Sequence, residues 1–184
     1  MGFSNDKKKA RIAEKLVLQV LNNINSDYNF EDVAEQQEYY YKGDIRTFDK
    51  DWQMEICIDV KDDSCIANTC NFLAEHRVKY PKKGWQTGFM QHAEYDYVAY
   101  LSQQRQTIYM LDFAAWQKWY KTKYVKHIPI NHYDEYGNWE QTTDGYLMPI
   151  YMAQELGIIV ATIKYDNNYN AIEITCINRM HFRG

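Results

Sequence analysis

The sequence is poor in glycine, proline and cysteine, with 8 Gly, 3 Pro and 4 Cys among 184 residues. Scarce glycine and proline argue against long disordered linkers. A chain of this length can bury the core of one domain, whereas two domains would each be small. We therefore predict a single domain that covers residues 1–184.

The four cysteines fit neither a zinc site nor a disulfide framework. Cys57, Cys65, Cys70 and Cys176 form no Cys-x-x-Cys pair, and no histidine stands beside them at zinc-ligand spacing. Free thiols are typical of a reducing compartment. A signal-peptide pattern is missing, and no apolar run approaches the length of a membrane span. We expect a cytoplasmic protein that does not contact a membrane.

Basic residues are also fewer than acidic residues, and the formal net charge is −4. This argues against a protein whose whole surface clamps nucleic acid. It permits an enzyme that concentrates carboxylates around a metal ion and holds phosphate on a separate basic patch. The sequence has no glycine-rich phosphate loop of the nucleotide-hydrolase type, which disfavours an ATP-driven enzyme.

Hydrophobic periodicity predicts a chain in which helices and strands alternate. The predicted helices cover residues 7–25, 113–120 and 148–156. The predicted strands cover residues 52–60, 71–78, 95–101, 107–111, 157–164 and 171–177, with extended chain over 38–48 and a loop over 131–145. These elements favour an α/β fold with a central mixed sheet flanked by helices.

The strand predicted over 52–60 has two different faces. Side chains alternate along a strand, so every second residue shares a face. The apolar face contains Met54, Ile56, Ile58 and Val60. The opposite face contains Glu55, Cys57, Asp59 and Lys61. This alternation places a carboxylate and an ammonium group side by side.

Such a pair suits the hydrolysis of phosphodiester bonds. The reaction needs a positioned water and charge neutralisation on the phosphate, which hard divalent cations held by carboxylates provide. Asp44 and Asp59 could bind one metal ion between adjacent strands. Lys61 could orient the water or stabilise the negative charge that develops on the phosphate.

The order Gly43-Asp44, then fourteen residues, then Asp59-Val60-Lys61 resembles the PD-(D/E)xK nuclease superfamily. The similarity extends over about residues 10–125 and is closest to small phage-type and bacterial members. It implies a restriction-endonuclease-like core and a deoxyribonuclease, acting as an endonuclease or an exonuclease, that depends on Mg²⁺ or Mn²⁺. Asp44 and Asp59 would be metal ligands and Lys61 the catalytic lysine.

Two further acids enter as candidates, and two positions depart from the family pattern. Glu14 lies on the predicted N-terminal helix, as in the helix-first core of that family. Glu75 becomes a catalytic residue and metal ligand only through the resemblance, because relatives carry a further strand that ends in Glu. Gly43 stands where proline is usual, and Asp59 stands where Glu is more frequent.

Two groups of lysines are candidate contacts to DNA phosphates. One group flanks the Tyr80-Pro81 turn and contains Lys79, Lys82 and Lys83. The other follows the predicted helix over 113–120 and contains Lys118, Lys121, Lys123 and Lys126. DNA is therefore the expected partner, and a homodimer is compatible with a nuclease that cuts two strands.

Ordinary interpretations of the same residues stay open. Asp44 could be a turn residue after Gly43, and Asp59 with Lys61 could be the solvated face of a strand. Glu14 could be a surface helix charge, and the lysine groups could be solvated faces. The tyrosine runs, at 39–41 and 95–100, are more typical of core packing and strand pairing than of base stacking.

Two other functions also stay open. One is a non-catalytic nucleic-acid-binding or assembly protein on the same scaffold, which the acidic net charge and abundant tyrosine fit. The other is a metal-dependent hydrolase of small phosphoesters, which would need a closed pocket in place of an open groove.

Overall fold

The computed structural model describes residues 2–24, 28–49, 54–122, 128–133 and 136–176. Its helices are α1 (Gly2–Ile24), α2 (Ile66–Thr69), α3 (Phe89–His92), α4 (Phe113–Lys121) and α5 (Ile150–Glu155). Its strands are β1 (Glu31–Asp32), β2 (Ile45–Asp49), β3 (Met54–Asp62), β4 (Asn71–Tyr80), β5 (Gly84–Thr87), β6 (Tyr97–Ser102), β7 (Thr107–Asp112), β8 (Ile128–Tyr133), β9 (Trp139–Pro149), β10 (Ile159–Tyr165) and β11 (Ala171–Cys176).

The larger sheet has seven strands in the order β1-β2-β3-β6-β7-β10-β11. Its neighbours pair antiparallel except β3 and β6, which run parallel with Asp59 opposite Val98 and Lys61 opposite Tyr100. Parallel strands need a crossover connection. Residues 63–96 provide it, and they contain β4 and β5 of the second sheet.

The smaller sheet has four antiparallel strands in the order β5-β4-β9-β8. The register between β4 and β9 shifts between Glu75 and Arg77, so β4 carries a bulge beside Glu75. Glu75 lies opposite Gly145, where an added Cβ would come within 2.4 Å of the Ala74 carbonyl oxygen. Glycine therefore allows the two strands to approach at this point.

Both faces of the larger sheet are covered. On one face, apolar side chains of α1 such as Val17 and Val20 pack with Ile56 and Ile58 of β3. On the other face, the second sheet and α4 form a cluster rich in aromatic side chains. Its centre is Phe72, whose ring centroid lies 4.9 Å from that of Tyr100. The strand β3 thus lies between α1 and the second layer.

The predicted fold class is wrong. The structure is mostly β, and a second sheet with short helices, rather than a layer of helices, covers one face of the large sheet. The helix-flanked, restriction-endonuclease-like core is therefore not found. The error begins at residues 131–145, predicted as a loop, which contain parts of β8 and β9. The polar residues in these strands, such as Thr143 and Asp144, make the segment look like a loop in the sequence. Both side chains are nevertheless buried.

Several predicted elements are confirmed. The helix over 7–25 corresponds to α1, the strand over 52–60 to β3, and the helix over 113–120 to α4. The predicted strands over 95–101 and 107–111 pair antiparallel as β6 and β7, and the terminal hairpin is formed by β10 and β11. In the described part of the chain, no helix combines the length and the hydropathy needed to cross a membrane.

Candidate functional site

Four separate segments bring the five predicted site residues together. Glu14 projects from α1, Asp44 immediately precedes β2, Asp59 and Lys61 lie on β3, and Glu75 lies at the bulge of β4. The negative charges among them repel one another. Asp44 is repelled by Asp59, and Asp59 is also repelled by Glu14 and Glu75. The structure therefore gathers residues that are up to 61 positions apart in the sequence into one electrostatic cluster.

The turn before β2 aims the Asp44 carboxylate at the neighbouring strand. The backbone N–H of Asp44 donates to the Ile58 carbonyl, and the N–H of Val60 donates to Asp44 Oδ2, each at 2.9 Å. Gly43 makes this possible with a φ of +126°, and an added Cβ would lie 2.7 Å from the Ile58 oxygen. Proline, with φ fixed near −65°, could not occupy this position.

Asp59 and Lys61 form an ion pair at the interface between the layers. Lys61 Nζ lies 2.8 Å from Asp59 Oδ2 and 4.7 Å from the centre of the Phe89 ring. Asp59 is 8% exposed, and its shielded Oδ2 receives no well-directed hydrogen bond from a described residue. The interpretation as a solvated strand face is therefore wrong for Asp59, whereas the side chain of Lys61 is 32% exposed.

Burial makes the negative charges of the cluster costly. Burial, together with repulsion from Asp59, raises the pKa of Asp44 to about 6. Burial also raises the pKa of Asp59 and of Glu75, although Lys61 opposes the shift at both. A bound cation or a proton would relieve this repulsion.

Lys61 keeps its proton in this environment. Burial opposes the charged ammonium, but the carboxylates of Asp59 and Glu75 outweigh it and raise the pKa of Lys61. The hydroxyl of Tyr95 also interacts with Lys61 and Asp59, and burial raises the pKa of this tyrosine strongly. Lys61 and Tyr95 therefore both stay protonated near neutral pH, where they can donate hydrogen bonds but cannot act as bases.

Glu14 is held by a neighbouring arginine. Arg11 forms a short hydrogen bond with Glu14 and pairs with Asp32 at 2.7 Å. The Glu14 side chain is 11% exposed, so the interpretation as a surface helix charge is wrong. Burial, followed by repulsion from Asp44, raises the pKa of Glu14. The i, i+3 spacing of Arg11 and Glu14 is a signal that sequence reasoning could have used.

The donor set suits a divalent ion in chemical type. Carboxylate oxygens are preferred ligands of Mg²⁺ and Mn²⁺, and Oδ2 of Asp59 is a buried oxygen that lacks a well-directed hydrogen bond from the described residues. Within the described ranges, however, no three His, Cys, Asp or Glu side chains lie close enough together to hold a metal ion as they stand. Metal ligation by Asp44, Asp59 and Glu75 stays a prediction.

The predicted lysine contacts occupy different surroundings. Lys82 and Lys83 line a surface groove of about 1100 Å³. Lys79 lies 5.9 Å from the ring centres of Trp85 and of Trp139. Lys121 is exposed on α4 and donates to the Gln117 side chain at 3.1 Å. Lys123 and Lys126 lie outside the described residues.

The groove contains tyrosines whose role the sequence did not reveal. The tyrosines Tyr39, Tyr95, Tyr97 and Tyr100 are buried, as predicted for core residues. Tyr40 and Tyr41 are instead 78% and 52% exposed, and both line the groove. The run of three tyrosines has a 3₁₀ turn at its start, so consecutive side chains point in different directions.

Comparison with known protein families, with curated proteins and with solved structures finds no match to this chain. The resemblance to PD-(D/E)xK nucleases therefore rests on the motif residues alone.

Replacement of Gly43 by alanine tests whether this turn is under steric control. We expect Gly43→Ala to lower the free energy of unfolding by about 3 kcal/mol or more, because positive φ and a backbone clash act together. The matched control is Gly137→Ala, which has a φ of +80° but open space around the Cβ; it should cost about 1–2 kcal/mol. Urea denaturation measures both, and equal losses would contradict the steric explanation.

The raised pKa of Asp44 predicts a pH-dependent change in stability without metal. Above pH 6 the ionised carboxylate disfavours the folded state, and this cost disappears as the pH falls through 6 towards the ordinary value of 3.8. Asp44→Asn, which keeps an acceptor for Val60, should therefore stabilise the protein at pH 8 by up to about 3 kcal/mol, and hardly at pH 4.

Urea denaturation in the presence of a chelator at both pH values measures this difference. Asp166→Asn is the control, because hydrogen bonds from the Asn170 and Asn168 backbone lower the pKa of Asp166. That replacement should not stabilise the protein at pH 8. A gain for Asp44→Asn that is independent of pH would refute the electrostatic origin.

Proposed function

We propose that this protein is a Mg²⁺- or Mn²⁺-dependent nuclease that hydrolyses DNA phosphodiester bonds. The observation that carries the proposal is the cluster of interacting charges formed by Glu14, Asp44, Asp59 and Glu75, in which Lys61 acts on the last three. Four acids outnumber the nearby cations, and burial raises the pKa of each acid. Perturbed carboxylates grouped in this way are typical of functional sites.

The residues of the cluster have distinct proposed roles. Asp44, Asp59 and Glu75 would hold the metal ion, which when bound supplies Lewis-acid catalysis and an activated water. Lys61 stays protonated, so its role is to stabilise negative charge on the phosphate and not to remove a proton. Glu14, restrained by Arg11, is a positioning residue that adds negative charge near Asp44.

A non-catalytic DNA-binding or assembly protein is the second candidate. Two observations favour it: Lys61 already neutralises Asp59, and no group of three potential metal ligands stands ready among the described residues. A cytoplasmic location accords with either candidate, because Cys57, Cys65 and Cys70 are free thiols. The homodimer stays a prediction.

Cleavage assays test the proposed nuclease. Purified protein is incubated with plasmid, linear duplex, single-stranded and branched DNA in Mg²⁺ or Mn²⁺. We expect cleavage that a chelator abolishes and that Lys61→Ala lowers at least about 100-fold, since one charge-stabilising group is removed. The control is Lys164→Ala, whose surface ion pair with Glu173 lies on the terminal hairpin; it should cut like wild type.

The proposed nuclease function would be refuted if no substrate is cut, or if Lys61→Ala keeps full activity. Calorimetric titration with Mn²⁺ then separates the two candidates, because the nuclease requires Mn²⁺ binding that Asp44→Asn or Asp59→Asn removes. DNA binding without such metal binding would identify the second candidate.

A further inference from the structure

The groove of about 1100 Å³ has aromatic and basic side chains on its walls. The side chains that the argument uses are Tyr40, Tyr41, Tyr80, Lys82, Lys83 and Trp139. Large exposed aromatic side chains gathered in one place are unusual for a surface without a ligand. Packing within the fold does not explain why these aromatic side chains are exposed in the groove.

The tyrosine faces are held in place. The ring centroids of Tyr40 and Tyr41 lie 4.8 Å apart in an edge-to-face arrangement, and Tyr41 meets His92 in the same way at 5.3 Å. The backbone N–H of Glu94 donates to the Tyr41 carbonyl at 2.9 Å, which ties this turn to the chain after α3. Edge-to-face pairing leaves ring faces open to a further planar group.

The groove and the carboxylate cluster draw residues from the same two segments of the chain. Tyr41 precedes Asp44 by three residues, and Tyr80 follows Glu75 on the same strand. Burial, followed by the negative charge of Glu75, raises the pKa of Tyr80, while Lys61 opposes the shift. Tyr80 lines the groove and lies within electrostatic range of Glu75 and Lys61, which do not line it themselves.

Size and charge indicate what the groove can hold. Its volume is close to that of pockets for drug-sized ligands, roughly 300–1,000 Å³, which is room for a few nucleotides and not for a duplex. Lys82 and Lys83 form no ion pair with a described residue, so both ammonium groups are available for phosphates. Glu94 and Glu140 also line the groove, so selectivity must come from stacking more than from net charge.

We propose that this groove binds single-stranded DNA, with bases stacked on Tyr40 and Tyr41 and phosphates beside Lys82 and Lys83. The strand then leads past Tyr80 towards Asp59 and Lys61. Delivery to a site of cleavage rests on the proposed nuclease function, whereas the binding itself does not. Aromatic platforms beside basic groups are a common means of binding unpaired bases.

Fluorescence anisotropy with a labelled thymidine oligomer tests the binding in a chelator, so that no cleavage is required. The test variant is Tyr40→Leu with Tyr41→Leu, and the matched control is Tyr151→Leu, a tyrosine of α5 that is 63% exposed and outside the groove. We expect the double variant to bind at least about fivefold more weakly, the lower limit for one lost base stack. The control should bind like wild type.

Further measurements test the same binding mode. A duplex of equal length should bind more weakly than the single strand, and thermal unfolding should show that the double variant is folded. With two lysines contacting phosphates, log K should fall with log salt at a slope of about −1.4, and Lys82→Gln with Lys83→Gln should flatten it. An RNA oligomer that binds equally well would support stacking of unpaired bases in general.

Equal affinity of wild type and the double tyrosine variant, or equal affinity for single strand and duplex, would overturn the inference. Its failure is distinguishable from that of the nuclease. Tyrosine-dependent binding of single strands without cleavage refutes only the nuclease, whereas cleavage without any effect of Tyr40 and Tyr41 refutes only the role of the groove.

Discussion

Lys61 lies 2.8 Å from a carboxylate that is 8% exposed, between the large sheet and the second layer. A buried charge costs several kcal/mol unless partners compensate for it. Several partners provide this compensation. The ammonium of Lys61 offsets the charges of Asp59 and Glu75. The backbone N–H of Val60 donates to Asp44, that of Phe89 donates to Glu75, and Arg11 forms a hydrogen bond with Glu14. The surrounding backbone must keep these donors in place, which restricts how β2, β3 and β4 can be arranged.

Glycine provides the close approaches that this arrangement needs. Gly43 lets the chain turn over the end of β3, and Gly145 lets β9 approach β4 opposite Glu75. Gly88 has the same function before α3, because an added Cβ would lie 2.6 Å from the Glu75 carbonyl oxygen. Few glycines are present in the chain, and three of them lie around the carboxylate cluster.

The pairing of Asp59 with Lys61 in the candidate site could be predicted from the sequence because β3 has a strict alternation of apolar and ionisable side chains. Neighbouring strands then brought Asp44 to Asp59 as expected. The second sheet could not be predicted, since β8 and β9 contain polar residues such as Thr143 and Asp144. Their burial depends on partners in β4, for example Arg77, whose Nε donates to Asp144 at 2.8 Å. Periodicity within one segment does not reveal such distant partners.

The parallel pairing of β3 with β6 has a kinetic consequence. The connection between them contains β4 and β5, so the pair closes only after a long stretch of chain has been placed. Contacts between residues distant in sequence cost loop-closure entropy before they stabilise the fold, and they slow folding. Glu75 lies within that stretch, whereas Glu14 precedes β3. Partly folded chains therefore lack the assembled carboxylate cluster, which appears only when the two layers have joined.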